Sequence, residues 1–384
     1  MGTNRTALKS DSRSGRLFAV DALRGLIIIL MALDHANYFI AHKHSSGEYW
    51  GGILPVYDSS LAFVTRFITH LAAPGFFFLM GVGMLLFAQR REDFGWGRWA
   101  VIRHFFIRGV VLIAIQLLVV NRIWPLAADS WPNIYIGVLI ALGGTMILGS
   151  LLLWLKPSYL VVLALVLFIG TELLVPEPGL WGKFQISHPL DYLNPILIYP
   201  GGDGNFWSNY PLLPWLELVV FGILFGRWLI HDMQQAYQGA TVIGLVFLAG
   251  FMVIRYLDGF GNILPREGDT WIDFLNVIKY PPSMAFTLLT MGLNLILLGL
   301  FARTNSRIQS FFYPLVVYGQ APLFFYVLHL SLYAGLGLWL VPEGMSIANM
   351  YPYWLLGLLI LFPVCLVYGM LKHREPASKL LQYL

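Results

Sequence analysis

Long apolar runs alternate with short polar segments along most of the chain. A run of about 20 apolar residues is long enough to cross the hydrocarbon core of a bilayer as a helix. Ten such runs occur here, at residues 17–41, 62–88, 98–120, 132–154, 158–175, 211–231, 239–257, 282–302, 312–340 and 352–372. The pattern therefore predicts an all-α polytopic membrane protein, a bundle of about ten transmembrane helices.

Two of these runs contain a proline that disturbs a regular helix. Pro74 lies within the second run, and Pro322 lies within the ninth, which is the longest. Membrane helices tolerate such breaks where neighbouring groups satisfy the freed backbone. We expect both helices to tilt, kink or break near these prolines.

Lys and Arg are unevenly divided between the two ends of the predicted bundle. Fourteen of the 24 fall on the side of the chain termini, six on the opposite side and four within the runs. Because cytoplasmic loops carry the excess of positive charge, we expect both termini in the cytoplasm and a multi-pass protein of the plasma (inner) membrane. Residues 1–15 would then form a polar cytoplasmic tail, and residues 16–384 a single transmembrane domain.

The composition agrees with this interpretation and excludes others. Hydrophobic residues make up 58% of the 384 and charged residues 11%, with a mean hydropathy of +0.70, whereas soluble domains are about 25% charged. The net charge of +4 needs no nucleic-acid partner, because the positive residues concentrate in short loops. The single cysteine, Cys365, excludes an internal disulfide. The oligomeric state stays open, a homo-oligomer included.

The first predicted helix carries its charges on one stripe. Arg24 and His35 are eleven residues apart, and at 100° per residue they lie only about 20° apart around the helix. Asp21 lies about 60° from Arg24 by the same geometry. An Arg or Asp at the centre of a membrane helix costs roughly 2.5–3.5 kcal/mol. We therefore expect the stripe to face protein or water, not lipid.

The second predicted helix carries a matching pair, Arg66 and His70, four residues apart on one face. Arg66 is expected to hold an acidic acceptor, to lie beside Asp58 or to snorkel toward the membrane surface. The order DALRG, an apolar run ending in DH, and RFITHLAAPGFFFLMG resembles the bacterial relatives of heparan-α-glucosaminide N-acetyltransferase, within the transmembrane acyltransferase superfamily. Three later segments fit the same family: NYPLLPWLELVVFGILFGRW (209–228), KYPPSMAFTLLTMG (279–292) and YGQAPLFFYVLHLSLY (318–333).

The resemblance, which spans about residues 16 to 372, implies a membrane acyltransferase. Such an enzyme would move an acetyl or short acyl group from cytosolic acyl-coenzyme A, acetyl-coenzyme A above all, to a sugar or amino-sugar acceptor of the envelope on the outer side. No metal is implied. A transporter or flippase of a small polar solute is the alternative, because charges within spans and long outer loops suit transport too. The sequence shows no convincing inverted repeat, which counts against that alternative.

Three polar residues are candidates for catalysis: His35, His70 and Asp34. A neutral imidazole can take the proton of the acceptor or carry the acyl group itself. We expect His35 to be that base or nucleophile, and His70, at a matching depth, to be a proton relay, a second catalytic group or an oxyanion donor. Asp34 lies about 100° from His35, so it would orient His35 only through a bend or a third group. His44 is a second candidate, because the resemblance implies a catalytic histidine in this loop.

Three arginines are expected to bind the phosphates of the donor: Arg24, Arg103 and Arg108. Arg24 can also pair with Asp21, and the two roles do not exclude each other. Snorkelling is the alternative for the other two, and it is stronger for Arg103 than for the deeper Arg108. The sequence has no Gly-rich phosphate-binding loop, so a phosphate site would have to be built from arginines and helix ends.

Overall fold

The computed structural model describes residues 17–44, 47–128, 130–178, 180 and 188–374, and the predicted tail at residues 1–15 lies outside them. The described chain is mainly helical. Its α-helices are α1 (Phe18–Ala36), α2 (Ser60–Thr69), α3 (Ala72–Asp93), α4 (Arg98–Ile115), α5 (Asn121–Ile123), α6 (Val138–Leu152), α7 (Pro157–Leu174), α8 (Leu193–Leu197), α9 (Leu212–His231), α10 (Met233–Leu257), α11 (Trp271–Leu275), α12 (Met284–Ala302), α13 (Ser306–Phe311), α14 (Tyr313–Gly319), α15 (Pro322–Leu340) and α16 (Ile347–Arg374).

These helices confirm the prediction of an all-α polytopic membrane protein. Within the described ranges, eight helical segments are long and apolar enough to cross a membrane. The charged helix α1 and the shorter apolar helix α6 occupy the two remaining runs of the ten that the sequence predicts. Two π-helical turns, Asn37–Ala41 and Gln116–Val120, extend α1 and α4.

The second and ninth runs are both broken near the prolines named above, as expected. The second run is divided into α2 and α3, with Pro74 in the first turn of α3, and the ninth is divided into α14 and α15, with Pro322 as the first residue of α15. Proline lacks the N–H that continues a helix, and its ring clashes with the carbonyl four residues earlier. A new helix therefore begins at Pro322, and another begins two residues before Pro74.

Side chains from other helices satisfy backbone carbonyls at both breaks. Asn294 on α12 donates from Nδ2 to the carbonyl of Leu71 at 3.1 Å, and Arg24 on α1 donates from Nη1 to the carbonyl of Gly319 at 3.1 Å. Within the hydrocarbon core of a membrane, such carbonyls have no water that could donate a hydrogen bond to them. The breaks are thus built into the packing, and one of them fixes the guanidinium of Arg24.

Helix α1 lies within the bundle, against α3, α12, α14 and α15. Its contact with α14 is close because glycines meet backbone there: Gly25 faces Leu315, and Gly319 faces Asp21, with no room for a Cβ at either position. Helices α7 and α10 are mostly exposed along their apolar spans. The charged stripe of α1 therefore faces protein, as expected.

The long connections gather at one end of the bundle, which we call the loop end. Three short strands lie there, β1 (Ile134–Ile136), β2 (Gly201–Gly202) and β3 (Phe206–Ser208); β3 pairs with β1 in parallel and with β2 antiparallel. The backbone of Trp50 donates to the carbonyl of Tyr280 at 3.0 Å, and its indole donates to the carbonyl of Pro200 at 2.8 Å. These bonds hold the connection between α1 and α2 against the other loops.

Candidate active site

A cavity of about 360 Å³ lies at the loop end, beside the last turn of α1; we call it the loop cavity. Two carboxylates and two imidazoles line it: Asp34, Glu48, His35 and His44. Aromatic rings form most of the remaining wall, namely Tyr38, Tyr49, Trp124, Trp131, Tyr135, Trp207, Tyr210, Tyr280 and Tyr326. A few converging polar groups in a largely apolar pocket are typical of a site for a small organic ligand.

Arg66, in the last turn of α2, joins two carboxylates behind the wall of the loop cavity. Its side chain is 1% exposed. Nε donates to Oε1 of Glu48 at 2.7 Å, Nη2 donates to Oε2 of the same residue, and Nη1 donates to Oδ1 of Asp34. Of the open alternatives for Arg66, snorkelling and a pair with Asp58 are not what the structure shows, because Arg66 pairs with Asp34 and Glu48, and Asp58 lies 3.7 Å from Nζ of Lys43. A buried guanidinium requires compensation of this kind.

Glu48, in the connection between α1 and α2, is 1% exposed. Burial alone would raise the pKa of its carboxyl, but Arg66 and His70 hold that pKa well below its ordinary value. Glu48 is therefore an ionised partner for Arg66. It fixes the polar loop to the end of α2.

His70 is the second partner of Glu48. Its Nε2 lies 3.1 Å from Oε1 of Glu48, and its ring packs 5.6 Å from that of Phe286. His70 is not among the residues that line the loop cavity. It is connected to Asp34 through Glu48 and Arg66. His70 therefore lies one layer behind the loop cavity. Its expected catalytic role stays a prediction.

The side chain of Asp34 points toward α2, whereas that of His35, the next residue, contacts another helix. Its Oδ1 also accepts from the hydroxyl of Thr69 at 3.0 Å, and its Oδ2 lies 3.4 Å from Nε2 of His44. The same His44 nitrogen lies nearer to Nη1 of Arg66, at 3.0 Å. Because a guanidinium only donates, Nε2 of His44 accepts from Arg66. The proton of a neutral His44 ring then lies on Nδ1.

His35 has its partner far along the chain. Its Nδ1 lies 2.6 Å from Nε2 of His329 on α15, and the two ring planes are within 19° of each other. Edges of Trp124 and Tyr326 pack against the His35 ring, at centroid distances of 5.2 and 6.1 Å. Among the described residues, Nε2 of His35 has no hydrogen-bond partner. The ring is thus fixed at the cavity wall with one nitrogen unengaged.

A second cavity of about 340 Å³ lies toward the opposite end of the bundle; we call it the arginine cavity. Arg24, Arg108 and Lys372 line it among mainly apolar side chains. Arg24 also pairs with Asp21 at 2.8 Å, so its two expected roles are compatible. Nε of Arg108 is buried and has no hydrogen-bond partner in the described part of the chain. Arg103 is exposed on α4 and is not among the lining residues.

Val138 and Tyr326 belong to the walls of both cavities. Tyr326 is 5% exposed, and it lies one turn before His329 on α15. The two cavities therefore adjoin beside His35. Val138 and Tyr326 thus form a wall that the arginine cavity and the loop cavity share.

The candidate residues expected from the sequence did not include Glu48, His329, Tyr326 or Lys372. His329 carries the signal that singled out His35, an imidazole within an apolar run. Glu48 gives no such signal, because it lies in a polar loop. Within the ranges that the structure describes, no group of three or more His, Cys, Asp or Glu side chains is arranged to hold a metal ion.

Comparison with protein-family models shows a match over much of the chain. A family model described as "Heparan-alpha-glucosaminide N-acetyltransferase, catalytic" matches residues 16–257, well over half of the chain. The matched region begins just before α1 and ends with α10, so it contains Arg24, Asp34, His35 and His44. No curated protein matches the chain.

Proposed function

The chain belongs to the heparan-alpha-glucosaminide N-acetyltransferase family of membrane acetyltransferases, and from that premise we propose its donor, acceptor and mechanism. The protein takes an acetyl or short acyl group from acyl-coenzyme A at the arginine cavity. It transfers that group to a sugar or amino-sugar acceptor in the loop cavity. With the termini in the cytoplasm, the donor arrives from the cytosol and the acceptor lies on the outer side of the plasma membrane.

The observation that carries this proposal is that Val138 and Tyr326 line both cavities. Transfer between two substrates requires the reacting atoms to come within bonding reach. A donor held in one cavity and an acceptor held in the other would satisfy this requirement at the junction. His35 packs against Tyr326 at a centroid distance of 6.1 Å, so its imidazole lies beside the point of contact.

The charges of the arginine cavity suit a phosphate-bearing donor. Arg24, Arg108 and Lys372 carry positive charge into its wall, and Arg108 keeps a buried nitrogen without a partner in the described chain. Guanidinium groups bind phosphate through paired hydrogen bonds. We assign these three side chains to the phosphates of acyl-coenzyme A. The thioester would then extend past mainly apolar side chains toward Tyr326.

The imidazoles divide the chemistry between them. Nε2 of His35 takes a proton from the acceptor nitrogen or oxygen as that atom forms a bond to the carbonyl carbon. Nδ1–H of His44 donates to the carbonyl oxygen while it carries negative charge. The C–S bond of the thioester then breaks, and the thiolate receives the proton from His35 to leave as free thiol. An acyl-His35 intermediate would use the same nitrogen in two steps.

The aromatic wall suits a carbohydrate acceptor. The flat faces of rings such as Trp131, Tyr135 and Trp207 can stack on the apolar faces of a sugar ring, while Asn209 and the ionisable groups offer hydrogen bonds. Binding pockets commonly combine such an apolar wall with a few polar groups that set orientation. This is the physical support for a sugar or glycolipid acceptor.

A direct test uses the full-length protein in lipid nanodiscs with acetyl-coenzyme A and a panel of sugars and amino sugars. Release of free thiol and mass spectrometry of the acceptor report the transfer. We expect His35→Gln to lower kcat by about 10²- to 10⁴-fold, as loss of a general base does. We expect His44→Gln to lower it by about 10²- to 10³-fold, as loss of an oxyanion donor does. His231→Gln, at an exposed position, is the control.

Each result has a distinct meaning. Full activity in His35→Gln together with abolished transfer in His44→Gln would move the base to His44. Release of thiol at the same rate without any acceptor would contradict the proposed transfer to a sugar. Solute uptake into vesicles without any thiol release would favour the transporter instead.

A further inference from the structure

His329 lies on α15, fully buried, and it does not line the loop cavity. We propose that it is a positioning residue that fixes the tautomer of His35, so that the lone pair of His35 stays on Nε2. The inference rests on the function proposed above, in which Nε2 of His35 accepts the proton of the acceptor. His329 takes no part in the reaction itself.

The direction of the two hydrogen bonds follows from one backbone carbonyl. Nδ1 of His329 lies 2.9 Å from the carbonyl oxygen of Phe325. A carbonyl only accepts, so Nδ1 of His329 carries the proton. In the neutral ring, Nε2 of His329 is then an acceptor. It lies 2.6 Å from Nδ1 of His35, which must donate, and this leaves Nε2 of His35 unprotonated.

The opposite tautomer of His35 is penalised by burial. With the proton on Nε2 of His35, two unprotonated nitrogens would face each other at the same short distance. No water could separate them, because His35 and His329 are 7% and 0% exposed. Unsatisfied polar atoms in such surroundings are costly. The pair thus selects one tautomer without any charged residue.

The rings around His329 prevent it from turning to another arrangement. Phe325 stacks on it at 5.0 Å with planes 16° apart, and the edges of Tyr326 and Tyr333 pack at centroid distances of 5.6 and 6.1 Å. The orientation of His329 is therefore set by its own helix. α15 also supplies Tyr326 at the junction of the cavities, so one helix positions both the base and the point of transfer.

The same pair serves after the proton has moved. When Nε2 of His35 has accepted the acceptor's proton, Nδ1–H still donates to His329, so the imidazolium keeps its partner. In serine proteases a buried carboxylate does this work, and a change that leaves the wrong tautomer lowers kcat by about 10⁴-fold. A neutral imidazole would hold the tautomer with less electrostatic stabilisation of the cation.

The experiment compares His329→Gln with His329→Leu in the full-length protein. The Gln side chain can donate to the Phe325 carbonyl or accept from His35 through its amide, whereas Leu keeps the volume and removes the acceptor. Nitrogen-15 NMR of the histidine rings, assigned with His35→Gln, reports which His35 nitrogen is protonated. We expect Nδ1–H in the wild type and in His329→Gln. His329→Leu should shift the proton toward Nε2 and lower kcat at least about tenfold, with KM for acetyl-coenzyme A unchanged.

The result that overturns the inference is a wild-type His35 protonated on Nε2, or a His329→Leu variant with wild-type kcat and NMR pattern. If His329→Leu does not fold, the wild-type spectrum still decides. Failure of the proposed function looks different: no acyl transfer to any acceptor while His35 carries its proton on Nδ1. If acyl transfer depends on His35 but Nε2 of His35 carries the proton, the proposed function stands and only the positioning role of His329 is overturned.

Discussion

Asp34 and His35 are consecutive on α1, yet their side chains belong to separate hydrogen-bond systems. Asp34 accepts from Arg66 and Thr69 on α2, whereas His35 contacts His329 on α15. Successive residues on an α-helix point about 100° apart, so each side chain meets a different neighbour. We therefore expect substitutions of Arg66 and Glu48 to act first on folding stability, and substitutions of His35 and His329 to act on the chemistry.

Removal of the guanidinium of Arg66 should destabilise the protein. In Arg66→Met, the carboxylates of Asp34 and Glu48 lose their shared cation while they stay buried. Loss of one partner of a buried ion pair costs about 3–5 kcal/mol. We expect a large fall in the thermal unfolding temperature. Tryptophan fluorescence of the protein in detergent measures it.

Two further variants show whether charge is the cause of that fall. Arg90→Met, at an exposed position on α3, should change stability by no more than about 0.5 kcal/mol. Addition of Asp34→Asn and Glu48→Gln to Arg66→Met should recover part of the loss, because no uncompensated carboxylate remains. An Arg66→Met protein as stable as the wild type would contradict the network.

Donor binding should distinguish two arginines of α4. Arg108 lines the arginine cavity, whereas Arg103 is exposed outside it. We expect Arg108→Met to raise KM for acetyl-coenzyme A about 10- to 100-fold with kcat little changed, the effect of losing a charged hydrogen bond. Arg103→Met should leave KM within about twofold. Equal effects at both positions would place the phosphates elsewhere.

A bulky side chain at the junction of the cavities should separate donor binding from transfer. In Val138→Trp the indole would fill the space between the arginine cavity and the loop cavity. Transfer should fall at least about 10²-fold, since small displacements of reacting groups have effects of this size. Binding of acetyl-coenzyme A, measured by calorimetry, should persist. Val138→Ala keeps the junction open and should stay active; a fully active Val138→Trp would exclude this route.

The helices were predictable from the sequence because they depend on local composition. Ten apolar runs, two proline breaks and a buried charged stripe on the first helix follow from hydropathy, proline chemistry and the 100° rotation per residue. All three are present in the structure. The same periodicity assigns Asp34 and His35 to different faces of α1.

The residues that contact these two faces of α1 were not predictable in the same way. His329 meets His35 across 294 positions of sequence, and helix periodicity says nothing about which distant helix packs on a given face. Glu48 comes from a polar loop whose path depends on bonds to other loops. For Arg66 the sequence left three roles open, namely an acidic acceptor, a place beside Asp58 or snorkelling, because nothing in it shows that Asp34 and Glu48 meet there.

Acid should weaken the wild type through Glu48. Because Arg66 and His70 hold the pKa of this buried carboxyl well below its ordinary value of 4.5, the folded state binds a proton less readily than the unfolded chain. The stabilisation is therefore complete above the unfolded pKa, and it is lost as the pH falls from there toward the folded pKa. Glu48→Gln cannot titrate, so its deficit relative to the wild type should be largest near pH 7 and should shrink below about pH 4.5.

Unfolding temperatures of both proteins in detergent, measured from about pH 7 to pH 3.5, test this relation. Glu267→Gln replaces an exposed carboxyl in another loop and should follow the wild type throughout. A deficit of Glu48→Gln that widens as the pH falls would reverse the sign of the linkage. It would mean that Glu48 folds in its protonated form, which would leave the Arg66 guanidinium with Asp34 as its remaining anionic partner among the described residues.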